Sequence, residues 1–493
     1  MYRAIFACSL RARPGSQCVR MLSFFVLALI SQTCFCIELV STNALGQQGS
    51  GFTNPRPSAI SNDGNTVLFY SGDRTLVPPT VPVVAFQNNY YVKNMLTGGI
   101  VEVIKRPDGA PLQSGAGGDY FAFMDEPPTR VVFKTAERNL VPNTSSSDGR
   151  YRIFTTAIGS YQYLPARGLA NDPDFFDFQD FTLNSQLDRL YVRTDQVLEI
   201  SPSQPTPPIV HSVRLDGQPS QFAQGIEARH WPTLSVSGDG RILTWWGSYF
   251  DIDPNTPIAT SAQIFIRDTQ TGVTRQVRGE NGQNLPFSEF PHVSDDGSFV
   301  AFGANANFAA PCLGDGIYGI DTRTWRRECI SVNNAGEPAD EVSYQLAVSA
   351  DGNRIVFGSA ARNLGPNFPN QPFFEFGIFV RDRRLQRTVR IDINALGIPA
   401  NGGSPDPFAL GNTRFPQISK NGRWVVFASD ASNLVPNDTN GHDEDIYRVD
   451  LNRFLPDPSL GAAPLIPVPA LSMLASLVLI LAMLGFGVWR RGD

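Results

Sequence analysis

The densest run of oxygen ligands in the chain is Asp438-Thr-Asn440-Gly-His-Asp443-Glu-Asp445. Asp438, Asn440, Asp443 and Asp445 alternate around a glycine, and a hard cation with six to eight oxygen ligands is held this way, so the stretch is a candidate Ca²⁺ loop. It lacks the closing Glu of an EF-type loop. The same residues also suit an Asx-rich turn between two strands. A second acidic run, Asp172–Asp180 (DPDFFDFQD), could supply paired carboxylates for glycoside chemistry if they stood about 5–10 Å apart. Its Phe175, Phe176 and Phe178 equally suit an exposed insertion that docks on the fold or presents a binding surface. The 4 His (His211, His230, His292, His442) are scattered, with no His-Glu-x-x-His. His230 and His292 occupy matching places before two hairpins, either facing each other or simply satisfied within their strands. No Gly-x-Ser-x-Gly elbow occurs, and no stretch is left for a hydrolase domain. No catalytic residue is assigned, and the chain is expected not to be an enzyme.

These residues are positioned by a repeat. Phe415–Asp450 reads as a strand, an Asn-Gly turn, a second strand, a loop with Asn-Leu-Val-Pro and a third strand. Asn-Gly between apolar runs signals a hairpin in which both turn positions take φ > 0. With the turn glycine as zero, an aromatic follows at plus five and a proline at plus fourteen. Gly64, Gly240, Gly297, Gly352 and Gly422 set Phe69, Trp245, Phe302, Phe357 and Phe427, then Pro78, Pro254, Pro311, Pro366 and Pro436. Pro128 replaces the glycine before Phe133 and Pro142. Asp188 does so in the weakest copy, before Arg193 and Pro202. The proline cannot donate to a ladder and ends the pairing. Trp245 thereby falls at a core position, although Trp245, Trp246 and Trp424 could also contact carbohydrate.

About seven units result, roughly 50–70 residues apart, each with period-2 strands and no helical periodicity. Third strands fall at Tyr90–Asn94, Tyr151–Thr155, Ile264–Asp268, Ile317–Asp321, Ile378–Asp382 and Ile446–Asp450. Fourth strands fall at Ile100–Lys105, Thr274–Val277, Glu328–Val332 and Thr388–Ile393. Four antiparallel strands per unit make a propeller blade. The last unit lacks its fourth strand. Ile37–Gly46 (IELVSTNALG) matches Val389–Gly397 (VRIDINALG), so Ile37–Thr42 is expected to complete the seventh blade and remove a free edge. The alternative is an open array with a free N-terminus. The expected fold is all-β, a seven-bladed propeller of four-stranded antiparallel blades over residues 37–455, followed by a transmembrane helix.

The ends read as an address. Arg3, Arg11, Arg13 and Arg20 precede the apolar Met21–Ile30. Cys34 and Cys36 stand at minus three and minus one if cleavage precedes Ile37, giving a signal peptide over 1–36. A start at Met21 would lose the basic region. Residues 456–470 form a Pro-rich linker. Leu471–Trp489 is apolar and long enough, at about 28 Å as a helix, to span a bilayer. Arg490 and Arg491 within 490–493 mark the cytoplasmic side. The chain has 46 acids and 40 bases, and six of the arginines lie in these end segments. The body is therefore acidic, which argues against nucleic acid as a partner. Of the 6 Cys, only Cys312 and Cys329 lie in the body. An even pair in an exported protein suggests a disulfide, with two buried thiols as the alternative.

Val468-Pro469-Ala470-Leu471-Ser472, the apolar span and Arg-Arg together resemble the tripartite C-terminal sorting signals of Gram-negative bacteria, most like the IPTL-CTERM type and akin to PEP-CTERM. That resemblance implies a processing protease in the membrane and surface delivery; a plain tail anchor would have the same span. The repeats Ile60–Pro78 (ISNDGNTVLFYSGDRTLVP), Val348–Pro366 (VSADGNRIVFGSAARNLGP) and Ile418–Pro436 (ISKNGRWVVFASDASNLVP) resemble the WD40-like PD40 repeat of TolB-type propellers. This implies the fold and leaves function open. The expectation is an exported, membrane-anchored, monomeric propeller binding an envelope protein or polysaccharide. The alternative is a glycoside hydrolase or lyase using carboxylates in the central funnel.

Overall fold

The computed structural model describes residues 37–455, apart from 51–55, 78–87, 107–121, 136–139, 141–151, 158–159, 164–179, 194–195, 202–208, 214–233, 248–262, 280, 286, 310–311, 366–375, 402–412 and 437. The described strands form seven four-stranded antiparallel sheets, the architecture of a β-propeller. Six sheets use four consecutive strands each. The first, for example, is Arg56–Ile60, Thr66–Ser71, Asn89–Asn94 and Ile100–Glu102. The seventh is composite. Thr413–Ile418, Trp424–Ser429 and Asp445–Asp450 take Ile37–Leu39 as their outer strand, with Ile37 opposite Val449 and Leu39 opposite Tyr447. The ladder stops before Thr42, which turns back to bridge Gln48.

The expected seven-bladed propeller running into a C-terminal transmembrane helix is corrected here. Six blades are self-contained and one is assembled from both ends of the described chain. Among the described residues no helix is long and apolar enough to cross a membrane. Their helical element is the 3-10 turn Leu451–Arg453. Within the described residues apolar side chains recur with period two and are consumed between sheets, which gives strands rather than a long helix. The leader 1–36, the linker and motif 456–470, and Leu471–Trp489 lie outside the described residues.

The hairpin turns are also wider than Asn-Gly implies. Gly422 has φ +71°, while Asn421 is not among the left-handed residues. The working unit is Ser-x-Asp/Asn-Gly. The serine hydroxyl donates to the carboxylate or amide oxygen two residues on, at 2.5–2.7 Å for Ser61–Asp63, Ser237–Asp239, Ser294–Asp296, Ser349–Asp351 and Ser419–Asn421. The same oxygen accepts from the backbone N–H five residues on, as Ser419 does from Trp424 at 2.9 Å. In the third sheet Asn184 stands in for serine, accepting from Arg189 N at 3.0 Å. There Leu187, at φ 54°, takes the glycine's place. The expected register of that copy, anchored on Asp188, is thus one residue late, and its core position is Val192.

Phe69, Phe133, Trp245, Phe302, Phe357 and Phe427 are all fully buried. Most stack on a third-strand aromatic directly across the ladder. The ring centroids are 5.6 Å apart for Phe69–Tyr91, 5.7 Å for Trp245–Phe265 and 5.9 Å for Phe427–Tyr447, the cross-strand unit of sheet stability. The leucines of the Asn/Thr-Leu-x-Pro loops, Leu76, Leu140, Leu364 and Leu434, are buried as well. Of the loop prolines, Pro436 is described and the others lie outside the described residues.

Neighbouring sheets interlock through the turns. The side chain two residues after each turn's left-handed residue covers the next sheet's turn glycine. Trp424 covers Gly64, Arg189 covers Gly240, Ile242 covers Gly297, Phe299 covers Gly352 and Arg354 covers Gly422. A methyl group on Gly297 would stand 2.9 Å from Ile242, and one on Gly352 2.7 Å from Phe299. These glycines are needed for their backbone and for the room they leave.

Candidate functional site

The seven hairpin turns form a closed hydrogen-bonded circuit. Asn62 N donates to Glu126 Oε2 at 2.9 Å, joining sheets one and two. Arg130 Nη2 donates to Gln186 O at 2.9 Å, joining two and three. Ser185 N reaches Gly238 O at 3.2 Å, Gly238 N reaches Asp295 O at 2.7 Å, Asp296 N reaches Ala350 O at 2.9 Å, and Ala350 N reaches Lys420 O at 2.8 Å. Asn421 then donates from N and Nδ2 to Asn62, both at 2.8 Å, and closes the circuit.

The residue after each serine or its stand-in therefore lines the axial mouth on this face: Asn62, Glu126, Ser185, Gly238, Asp295, Ala350 and Lys420. Three of them meet across it. Lys420 of the seventh sheet donates to Ser185 Oγ of the third and lies 3.4 Å from Asp295 Oδ1 of the fifth. Ser185 Oγ also donates to Asp295. Turns of sheets three, five and seven are not neighbours, so these contacts span the opening. Sequence reasoning missed this cluster. The signal was the varying residue inside an otherwise fixed turn.

The candidate calcium residues lie beside the ring closure. Asp438 Oδ1, Asn440 Oδ1 and Asp445 Oδ2 converge on the side-chain nitrogen of Gln48, at 3.2, 2.7 and 2.6 Å. Gln48 Oε1 accepts from Thr439 N at 2.6 Å. Asp443 takes no part in this set. Among the described residues no group of three or more His, Cys, Asp or Glu side chains is arranged to hold a metal. The oxygens that would bind a cation are turned on a neutral amide. In two sister loops the residue at the Gln48 bridge position is proline, Pro338 and Pro399. Aligning the Asn-x-x-Gly loops exposes Gln48 as the departure.

Burial pushes the Asp445 carboxyl up to about 6, against hydrogen bonds from Ser41, Gln48 and Asn440 that favour its ionised form. Lys93 of the first sheet is buried and donates to Thr42 O, Asn43 O and Gly98 O at 2.8, 3.1 and 2.9 Å. Burial lowers its pKa. Arg448 adds an ion pair to Glu38 at 2.6 Å. Residues 38–48 are thus strapped to both flanking sheets by polar side chains.

Elsewhere, Cys312 and Cys329 form a disulfide within the fifth sheet. His211 Nε2 is 2.8 Å from Glu199 Oε2; His211 and Arg189 help to hold the Glu199 carboxyl below its ordinary range against burial. Burial pushes the His292 imidazole down to about 4, and His442 Nδ1 lies 3.1 Å from Asp430 O. His230, Phe175, Phe176, Phe178 and all of the acidic run before Asp180 lie outside the described residues. Trp245 is a core residue, fully buried in its stack.

No family model and no curated protein matches this sequence. Similar solved structures are propellers. They include an oligogalacturonate lyase from Vibrio parahaemolyticus (12% identity, covering 84% of this chain and 96% of that one, TM-score 0.48). TolB from Acinetobacter baumannii is another (12%, 80% and 84%, 0.35). A third is the β-propeller domain of the Trilobed protease from Pyrococcus furiosus (10%, 80% and 95%, 0.44).

Proposed function

We propose that this chain is a non-enzymatic binding module of the cell envelope, which holds a protein or polysaccharide on a rigid propeller face. The observation that supports this reading is the closed turn circuit. Its polar groups fix one face, and the repeated carboxylates Asp63, Asp239, Asp296 and Asp351 are engaged in their own turns rather than gathered around a reacting atom. The disulfide supports export, since such bonds persist in oxidising compartments. The basic-apolar leader and the Val468–Ser472 signal support delivery to the membrane and processing there. Calcium belongs to this proposal only as a competitor of Gln48 for Asp438, Asn440 and Asp445.

A second reading has one observation in its favour. Asp295, with Ser185 and Lys420, places a carboxylate, a hydroxyl and an ammonium together at the axial mouth, where a glycoside hydrolase or lyase would place its groups. One experiment separates the two. The purified full chain is passed over immobilised envelope polysaccharide and envelope protein, and the eluates are assayed for new sugar ends. Retention without turnover is expected. Turnover that disappears in Asp295→Asn would replace the binding reading with the enzymatic one.

A further inference from the structure

On the rim of the propeller, the seam between the fourth and fifth sheets is edged by arginines. The outer strands there are Val273–Gln276 and Arg327–Cys329. Val277 and Cys329 are buried in one core cluster between the two sheets. Side chains alternate along a strand, so Arg275 and Arg327, each two residues away, turn toward the same seam. Arg275 lies over the Trp325 ring, 4.8 Å from its centroid. Its guanidinium is exposed and makes no hydrogen bond or ion pair among the described residues. Arg327 lies over the Phe308 ring, and its Nη2 donates to Arg278 O and Gly279 O at 3.1 and 3.2 Å. Arg278 donates to Gln276 Oε1 at 2.7 Å, Asn284 Oδ1 at 3.1 Å and Gly282 O at 3.2 Å. Every one of these acceptors is neutral. The three guanidiniums are held in place, but their charge is unanswered.

The nearby acids are engaged elsewhere. Asp268, opposite Val273 in the ladder, is held by Arg241 at 2.8 Å. Asp321 accepts from the backbone N–H groups of Arg323 and Thr324 at 3.0 and 2.8 Å. Glu328 is held by Arg383 of the sixth sheet at 2.7 Å and lies 3.7 Å from Arg326. Even with Glu280, which lies outside the described residues, segments 273–280 and 321–328 carry five arginines against three acids. The chain as a whole has the opposite balance, 46 acids to 40 bases. Gathering like charges raises the energy of the unbound protein, and an anion would relieve it. Planar guanidinium forks match carboxylate oxygens.

We propose that this seam binds an acidic polysaccharide through carboxylates on its successive sugars. A fluid anionic membrane rewards the number of basic side chains near its surface. Arginines fixed by a ring, by carboxamides and by carbonyls instead suit acid groups set at a regular spacing along a chain. The surface lies on the rim and is separate from the turn face of the binding reading above. Titration calorimetry of the full chain with alginate, a polyuronate, tests it. Dextran serves as the neutral polymer and phosphatidylglycerol vesicles as the anionic membrane. Alginate is expected to bind, more weakly as salt is added, while dextran and vesicles do not. Arg275→Gln is expected to weaken alginate binding about tenfold, the worth of hydrogen bonds to a charged group, without moving the melting temperature. Arg387→Gln removes the same charge from an exposed position on the sixth sheet and is expected to change affinity by about twofold or less.

Absence of alginate binding would overturn the proposal, as would equal losses in Arg275→Gln and Arg387→Gln, which would mean a diffuse field rather than a seam. Vesicle binding that Arg275→Gln abolishes would assign the seam to a lipid surface instead. Arg327→Gln, expected to weaken binding as Arg275→Gln does, gives a second reading from the other sheet; the exposed Arg275 keeps the test readable if that variant folds poorly. A wild-type chain that ignores alginate yet is retained on envelope protein or another envelope polymer would sink the seam and leave the face reading intact.

Discussion

Gly64 meets two demands at once. Its φ of +74° is a conformation that a Cβ disfavours, and the Trp424 ring occupies the space a Cβ would need. Gly46 has a similar φ of +77° with nothing near it. Gly46→Ala is therefore expected to cost about 1–2 kcal/mol from backbone strain alone. Gly64→Ala should cost at least about 1 kcal/mol more, because overpacking is added. Urea midpoints of the two variants give the difference, and equal losses would contradict the interlock. The turn glycines were legible in the sequence because a left-handed residue has a compositional signature. The covering side chains were not, since Trp424, Ile242, Phe299 and Arg354 share no chemistry. Asp445 gives a pH test. Its folded state keeps the proton between about pH 4 and 6, where an unfolded aspartate has lost it. This group's contribution is then fullest below about pH 4 and declines as pH rises through 6. A shift of about two units corresponds to about 3 kcal/mol. Asp445→Asn is expected to be more stable relative to wild type at pH 7.5 than at pH 4, by chemical denaturation; a pH-independent difference would contradict it.

The strap from Ile37 to Gln48 is the element that differs most from its counterparts. Strand identity was legible, because the shared Asn-Ala-Leu-Gly marks the segment from Ile37 as the outer strand beside Asp445–Asp450. What Gln48 does was not, because it depends on a loop about 390 positions away. Gln48→Ala removes one donor from the buried Asp445 carboxylate and from the half-buried Asp438 and Asn440 oxygens and is expected to cost about 1–3 kcal/mol. It also vacates the place a cation would take. Calcium should then raise the melting temperature of Gln48→Ala more than that of wild type, read against a chelator control. A larger calcium effect on wild type would mean that the amide does not occupy the site. In the fifth sheet the Cys312–Cys329 bond closes a separation of 17 residues. Replacing both by serine is expected to cost about 3 kcal/mol in the chain-entropy view, measured as a lower denaturation midpoint under oxidising conditions and no change under reducing ones. Survival of the full difference under reduction would place the effect in packing instead.

At the scale of the whole molecule, the repeat carried the architecture. The plus-five aromatic, the turn serine and the buried loop leucine recur because every sheet faces the same packing problem. The candidate site was scarcely legible. Lys420, Ser185 and Asp295 are 125 and 235 positions from one another along two of their contacts, and only closure of the circuit brings them together. The register error at Asp188 has the same root: Leu187 holds a left-handed conformation through its neighbours, with no glycine to announce it. Everything at the axial mouth presumes that the circuit is shut, and the outer strand of the seventh sheet is where it shuts. Amide hydrogen exchange on the full chain tests this most directly. Val40 N, which donates to Ile446 O at 2.7 Å, and the amides of Ile446–Val449 are expected to be protected together, to the same degree as Trp424–Ser429. Rapid exchange at Val40 alongside a protected Trp424–Ser429 would contradict the closed ring.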